Sequence, residues 1–127
     1  MDEQNKVIIY TASDGQTKID VKLEDETLWL MQAQMCELYQ TSRTNVVEHI
    51  KHIYEEGELD KEATCRNFRQ VREEGGRKVE REMTFYNLDM IIALGYRVRS
   101  IIATRFRQWA TLRLKEYMVK GFTLDDE

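Results

Sequence analysis

The stretch WLMQAQMCELYQTSRTNVVEHIKHIY, residues 29–54, predicts two short helices joined by a tight polar turn. We expect the first helix over about residues 31–39 and the second to end near Glu55. Three polar residues separate them, and the last of these, Ser42, is placed to cap the second helix. Gly57 stands where a left-handed helix stop is commonly found. This pattern is typical of a helix-turn-helix, whose second helix enters the major groove in DNA-binding proteins.

One face of the second helix is predicted to belong to the core. A step of about 100° per residue gathers Val46, Ile50 and Ile53 on one stripe, with polar side chains opposite. Among the polar residues, Arg43 and Asn45 are the candidate readers of bases, because guanidinium and amide groups match the hydrogen-bonding edges of bases. The DNA-binding residues predicted on this helix are Arg43, Thr44, Asn45, Glu48, Lys51 and His52.

The helical segment by itself leaves two interpretations open. Glu48 and Glu55 share the polar face, and carboxylates repel phosphates unless they accept a hydrogen bond from a cytosine amino group. Helical hairpins with polar turns also occur in globular proteins that never bind DNA. The rest of the chain therefore has to decide between a DNA-binding unit and an ordinary helical hairpin.

Two β-hairpins are predicted on either side of the helical segment. The first pairs residues 7–11 with 18–23 around a turn at Ser13, Asp14 and Gly15. The second pairs residues 64–71 with 78–85 across a loop of residues 72–77. A hairpin that follows a helix-turn-helix has the order of a winged helix, in which a basic hairpin tip contacts the sugar-phosphate backbone.

The second hairpin carries the predicted wing contacts. Its basic side chains stand near the tip, where a wing meets phosphates, but Glu73, Glu74 and Glu80 balance them. An ordinary solvent-exposed loop with a mixed charge is therefore the alternative. The wing residues predicted to bind DNA are Arg69, Arg72, Arg77 and Lys78.

Two helices are predicted in the last third of the chain. Asn87 caps a helix to about Val98, and Ser100 caps a longer helix that ends near Lys120, before Gly121. On the longer helix, one apolar stripe is predicted core: Ile102, Phe106, Trp109, Ala110 and Tyr117. A second stripe indicates a contact with another subunit or with further sequence, packing inside the domain being the alternative: Ile101, Leu112 and Val119.

Composition indicates a single domain over residues 1–127, with 42% hydrophobic and 33% charged residues. Apolar runs are too short to cross a bilayer and no signal peptide is recognisable, so we expect a cytoplasmic protein without a membrane partner. Its two cysteines, Cys36 and Cys65, build no disulfide framework and are expected in or near the core.

Charge is unevenly distributed along the chain. The formal net charge is −4, which disfavours a nucleic-acid partner, since binding to phosphates depends on positive charge. Acidic residues concentrate in residues 20–26, 55–62 and 125–127, whereas residues 97–120 hold seven Lys or Arg and a single Glu. We therefore expect that the molecule can present a basic face, with a mixed solvated surface as the alternative.

No catalytic motif is present in the sequence. The chain contains no GxGxxG, Walker loop, HExxH or GxSxG, and no small-molecule substrate is evident. His49 and His52 are spaced to share a metal with Glu48 or Glu56, but exposed helix histidines are usually just solvated. We expect no enzyme activity, no cofactor and no metal site in this segment.

Three long blocks resemble the RhuM-type virulence-associated proteins of bacteria across about residues 27–124. They are WLMQAQMCELYQTSRTNVVEHIKHIYEEGEL, FYNLDMIIALGYRVRS and ATRFRQWATLRLKEYMVKGFTLDDE. The second half also resembles the amino-terminal domain of the BRO family of viral and phage proteins, which is regarded as DNA-binding. The resemblance implies a DNA-binding module at the front of a longer protein. Gln40 departs from the glycine often found in helix-turn-helix turns, which predicts a wider turn.

The sequence thus predicts an α+β, winged-helix-like domain with an N-terminal β-hairpin, a helix-turn-helix, a wing and two C-terminal helices. We expect it to bind double-stranded DNA as a regulator of transcription or of a mobile element. The alternative is a protein-interaction or oligomerisation module without nucleic-acid binding, and a homodimer fits either function.

Overall fold

The computed structural model describes residues 6–125, with side chains placed for residues 6–117. Within this range the chain forms one antiparallel sheet and five helices. The strands are β1 (Lys6–Thr11), β2 (Lys18–Glu24), β3 (Thr27–Leu30), β4 (Cys65–Glu74) and β5 (Arg77–Asn87). The helices are α1 (Gln32–Tyr39), α2 (Arg43–Glu55), α3 (Lys61–Thr64), α4 (Leu88–Val98) and α5 (Ser100–Asp125). The α+β class predicted from the sequence is confirmed.

Both predicted hairpins are present, but they belong to one five-stranded sheet of order β1-β2-β3-β5-β4. The joining strand β3, which the sequence analysis did not include, pairs Trp29 with Lys22 on one side and Leu30 with Tyr86 on the other. The β2–β3 turn holds Asp25 and Glu26 at φ 56° and 62°, a backbone conformation more often given to Asn or Gly. Its sequence therefore carries no recognisable turn signal.

The main core lies between one face of the sheet and the helices. Alternate residues of β2 point inward, and Ile19, Val21 and Leu23 are buried against helical side chains such as Phe106. The opposite face of the sheet holds a small aromatic cluster, in which the Phe68 ring meets Trp29 and Phe85 edge to face. The sheet is thus covered by helices on one side and by its own aromatic side chains on the other.

The C-terminal helices follow the predicted pattern, except that Ser100 is the first residue of α5 and not its cap, and that α5 ends later than predicted. Asn87 caps α4, because its side-chain oxygen accepts a hydrogen bond from Met90 N at 3.2 Å. α5 begins at Ser100 and continues through Gly121 to Asp125, so the predicted end near Lys120 was wrong. A glycine inside a helix costs about 1 kcal/mol relative to alanine, which weakens a helix without ending it.

The two apolar stripes of α5 differ in burial. The predicted core stripe is confirmed, since Phe106 and Ala110 are buried and the three other members pack against the core. Ile101 and Leu112 of the second stripe are 66% and 61% exposed, so packing inside the domain does not account for them. Val119 lies outside the described side chains.

Cys36 and Cys65 are free and partly buried against the core, as predicted. Burial raises the pKa of both thiols. Among the helices described for residues 6–125, none is long and apolar enough to span a bilayer.

Candidate nucleic-acid interface

The predicted pair of helices is present with nearly the predicted boundaries, and we call α1, residues 40–42 and α2 the helical hairpin. Ser42 caps α2, because its Oγ accepts a hydrogen bond from Asn45 N at 3.1 Å. The predicted core stripe is confirmed, since Val46, Ile50 and Ile53 are buried. Burial of one stripe fixes which face of α2 is left for a ligand.

The turn of the helical hairpin is compact, which corrects the expectation of a wider one. Gln40 adopts φ 54° and ψ 53°, the left-handed conformation that glycine usually supplies at this position. Its side chain donates from Nε2 to Glu37 O at 2.8 Å, and Thr41 N donates to Cys36 O at 3.1 Å. These bonds occupy carbonyls at the end of α1 and let a glutamine replace the glycine.

The helical hairpin is fastened to α4 by a buried hydrogen bond. The Tyr39 hydroxyl donates to Ile91 O at 2.6 Å, and burial raises the pKa of this phenol far above its ordinary value. Gly95 leaves the space that the Tyr39 ring fills, because a Cβ at this position would lie 2.5 Å from Tyr39 Cζ and 2.6 Å from Ala103 Cβ. The end of α1 is therefore held in one place.

The far end of α2 is tied to α4 by an ion pair. Arg97 donates to Glu56 and Glu58 at 2.6 and 2.9 Å, and this arginine lowers the pKa of the Glu56 carboxyl. Two of the acidic residues that follow α2 thereby share one positive charge, which leaves the group with a net charge of −1. Arg97, which belongs to the predicted basic segment, is engaged in the same contact.

The exposed face of α2 carries most of the predicted DNA-binding residues. Arg43, Thr44 and Lys51 are exposed, and Glu48 lies 3.9 Å from His52. Asn45 is only partly exposed. Its Nδ2 donates to Thr41 Oγ1 at 2.8 Å, so part of this amide holds the turn. Base reading by Asn45 stays a prediction alongside this structural role.

The two histidines of α2 lie in different environments. His49 is partly buried, and its Nδ1 is buried without a hydrogen-bond partner, whereas about half of the His52 side chain is exposed. Across the described residues, no three His, Cys, Asp or Glu side chains are grouped to hold a metal ion.

The second hairpin projects beyond the rest of the sheet. The pairing of β4 with β5 runs from the Cys65–Tyr86 pair to the Glu74–Arg77 pair. β3 pairs with β5 only at the last two residues of each strand. We call residues 69–82 the arm. Its tip is a two-residue turn at Gly75 and Gly76, both with positive φ, so the predicted six-residue loop was wrong. The strands continue through charged residues because the glycine pair closes a tight turn.

The predicted wing residues divide between the two faces of the arm, because residues that pair across antiparallel strands share a face. Arg72 and Arg77 lie on one face together with Arg81, which the sequence analysis did not select. Arg69 and Lys78 lie on the opposite face. The alternation of side chains along a strand would have separated the two sets once the register was known.

The two faces of the arm differ in charge. Arg81 forms a bidentate bond to Glu74 at 2.9 and 2.8 Å, which lowers the pKa of that carboxyl. Arg69 lies 3.7 Å from Glu80. The face with Arg72 has three arginines against one glutamate, whereas the face with Arg69 has two cations against three glutamates. The Arg72 face is therefore the more attractive to phosphates.

An open cleft of about 600 Å³ lies where the helical hairpin meets the base of the arm. Arg43 at the start of α2 borders it, together with Gln32 and Cys36 of α1 and Met83 and Thr84 of β5. Arg43 is the residue of α2 that borders this cleft, while Met83 and Thr84 directly follow the arm in sequence. Among the residues that line this cleft, Arg43 carries the single charge, and none belongs to the arm.

Two of the basic residues whose side chains are described on α5, Arg105 and Arg107, lie on different surfaces. Arg105 donates to Ser13 Oγ at 3.0 Å, and Arg107 donates to Tyr96 Oη at 3.1 Å. Arg105 and Arg107 are two residues apart on the helix, so their side chains point about 200° apart. The positive charges of these two arginines are therefore separated around α5.

The fold and site define an α+β domain in which a helical hairpin borders a cleft at the base of a projecting β-arm. A family model described as the Virulence protein RhuM family matches residues 63–127, just over half of the chain. The chain belongs to the RhuM family, as its sequence predicted. The helical hairpin lies outside the matched residues, and the BRO resemblance remains a prediction. Comparisons with curated proteins and with solved structures gave no match.

Proposed function

We propose that this domain binds double-stranded DNA, with the helical hairpin acting as a helix-turn-helix and the arm as a wing. The observation that carries the proposal is the cleft at Arg43, where the capped start of α2 and the base of the arm meet. A duplex whose major groove receives α2 passes beside this cleft. The arm then lies next to the sugar-phosphate backbone.

The dimensions of both elements suit a duplex. α2 has 13 residues and is about 20 Å long, and an α-helix fits a major groove about 12 Å wide. The arm contains six residue pairs, which at about 3.3 Å per residue give it a reach of roughly 20 Å. Helix and arm can therefore contact adjacent parts of one site.

Sequence preference is assigned to the first turn of α2. Arg43 and Asn45 supply guanidinium and amide donors, and Thr44 is exposed between them. These groups match guanine, adenine and thymine edges in the major groove. Lys51 and His52 lie further along the helix, where they contact phosphates, while Glu48 disfavours any base that lacks an amino group at that position.

The arm supplies affinity that does not depend on sequence. Arg72 and Arg77 share its more basic face and are exposed. Each phosphate contact releases counterions and adds to the salt dependence of binding. The net charge of −4 keeps the total number of such contacts small, so we expect a shallow but measurable salt dependence of binding. Such a protein acts on DNA in the bacterial cytoplasm, as a regulator of transcription or of a mobile element.

The direct test is fluorescence anisotropy with a random-sequence duplex at low and moderate salt. We expect salt-sensitive binding that Arg43→Gln weakens. Lys18→Gln is the matched control, because it removes the same charge from an exposed position on β2, at the far side of the sheet from the arm. No binding at low salt, or equal losses in the two variants, would contradict the proposal.

A protein-interaction module is the second candidate, favoured by the exposed apolar side chains Ile101 and Leu112 of α5. An apolar interface is little affected by salt and is strengthened by sulfate, whereas a phosphate interface weakens. The salt series above therefore separates the two functions. Binding of a protein partner without any binding of duplex DNA would favour this second candidate.

A further inference from the structure

The two edges of the sheet differ in how they are protected. β4 carries three arginines along its ten residues, whereas β1 has the sequence KVIIYT, with no charge after Lys6. Val7 and Ile9 of β1 are each 58% exposed on the outer face. Natural edge strands are usually blunted by charge, proline or bulges, because an open edge is a template for another strand. Within the described residues, β1 carries such a charge only at its first residue, Lys6, and it contains no proline.

The register with β2 shows which backbone groups of β1 face outward. The ladder runs from Lys6 opposite Leu23 to Thr11 opposite Lys18, and the Ala12 N–H bond to Thr17 O at 2.9 Å continues it. Hydrogen-bonded and non-hydrogen-bonded pairs alternate along antiparallel strands. The even-numbered residues of β1 therefore bond to β2. The N–H and C=O groups of residues 7, 9 and 11 point to the open edge.

A second copy of β1 fits this edge through a twofold axis at Ile8. Antiparallel self-pairing about that residue sets Ile8 opposite Ile8 of the second copy, and Val7 opposite Ile9. Both pairs keep each side chain on its own face of the sheet, and residues 7 and 9 exchange the outward hydrogen bonds. A shift by one residue would turn outer side chains against inner ones.

The exposed Leu112 of α5 lies on the same side as the open edge. Trp109, three residues earlier, packs edge to face on Tyr10 of β1 at 5.0 Å. Glu116, four residues later, borders a cleft of about 400 Å³ together with residues 6–9. Residues three and four apart on a helix share a face, so Leu112 faces outward beneath β1.

The charged side chains beside this edge can pair with those of the second copy across the same twofold axis. Arg113 and Glu116 border the cleft and lie 3.0 Å apart. A twofold axis perpendicular to the sheet makes two α5 helices antiparallel, which sets Arg113 of one helix towards Glu116 of the other. With the axis at Ile8, β1 pairs residues 6–10, which gives five residues a side, whereas a standard interface takes about 20–30. The α5 face is therefore needed to complete a stable interface.

We propose that two copies of this chain associate through β1, joining their sheets into one ten-stranded antiparallel sheet with the two α5 helices antiparallel beneath it. This inference does not depend on DNA binding. It accounts for an open apolar edge strand and for the exposed Leu112 with a single twofold contact.

Sedimentation equilibrium across the micromolar range tests the association. We expect wild-type protein at twice the chain mass of 15.2 kDa. Val7→Lys combined with Ile9→Lys should weaken the dimer at least tenfold, and Leu112→Glu should weaken it separately. Val71→Lys is the matched control, because Val71 is a 61% exposed valine on the other edge strand. Circular dichroism melting verifies that each variant is folded.

A wild-type monomer at every concentration would overturn the proposal. So would a dimer that the β1 variants leave intact, or one that Val71→Lys weakens equally. Crosslinking tests the register independently of these variants. Residue 8 forms a non-hydrogen-bonded pair with itself, with Cα atoms about 4.5 Å apart, which is within disulfide range. Oxidised Ile8→Cys should therefore give a covalent dimer above the wild-type level, unlike Val71→Cys, and folded protein that fails to do so would overturn the register.

Discussion

The helical hairpin and the arm are stabilised in different ways. Val46 and Ile53 of the helical hairpin are fully buried, whereas Val71 in the arm is 61% exposed. Buried side chains fix the position of α2 against α4, while backbone pairing and surface ion pairs form the arm. A rigid helix is suited to reading bases at fixed distances, and an arm without a core is suited to phosphates, which tolerate small displacements.

The largest expected effect tests the rigidity of the helical hairpin. Gly95→Ala places a methyl group against the Tyr39 ring and Ala103, which are packed around this glycine. We expect a loss of about 1–3 kcal/mol in the free energy of unfolding, measured by urea denaturation. Thr111→Ala at an exposed position of α5 is the control and should change little. An unchanged stability for Gly95→Ala would show that the contact with α4 does not constrain α1.

The next effect separates the two faces of the arm. Arg72→Gln with Arg77→Gln removes two charges from one face, and Arg69→Gln with Lys78→Gln removes two from the other. If DNA follows the more basic face, the first pair should lower affinity roughly tenfold on every sequence and reduce the salt slope by about 1.8. The second pair is the matched control. Equal losses of DNA affinity in the two variants would contradict the assignment of DNA contacts to the Arg72 face.

A smaller effect is expected at the start of α2. Ser42→Ala removes the oxygen that accepts from Asn45 N, and loss of such a cap costs about 1 kcal/mol of stability. Because the candidate base-reading residues follow this cap directly, sequence preference should fall more than nonspecific affinity. Thr44→Ala keeps the cap and serves as the control for stability. A Ser42→Ala protein with wild-type stability would show that this cap does not stabilise α2.

The smallest effect concerns pH and the far end of α2. Arg97 holds the pKa of Glu56 below its ordinary value of 4.5, so the pair stabilises the folded state above that value. The stabilisation is lost as pH falls through the lowered pKa. The difference in unfolding free energy between wild type and Arg97→Met should therefore be present at neutral pH and shrink in acid. A difference in unfolding free energy that grows in acid would contradict a stabilising pair between Arg97 and Glu56.

Local patterns predicted most of the fold. The apolar stripe of α2, its Ser42 cap and the Asn87 cap of α4 are short-range signals, and each is confirmed. β3 was missed because it has four residues and follows a turn whose positive φ angles belong to Asp25 and Glu26. A strand of this length is specified by its two neighbours, which lie far apart in sequence.

The candidate site was less predictable than the fold. The residues of α2 lie on one helix, so their shared face follows from helical periodicity. The arm residues depend on the register between two strands, and this register decided that Arg72 and Lys78 point to opposite faces. Partners such as Thr41 for Asn45, or Glu56 for Arg97, depend on side-chain positions that no sequence pattern specifies.

We propose that α2 supplies sequence preference while the arm supplies general affinity. Selection of bound duplexes from a randomised pool, with wild type, Asn45→Ala and the Arg72→Gln, Arg77→Gln variant, tests it most directly. We expect a defined site for the wild type, a relaxed site for Asn45→Ala, and an unchanged site with weaker binding for the arm variant. A wild type without preference, or an arm variant that changes the site while Asn45→Ala does not, would contradict the account.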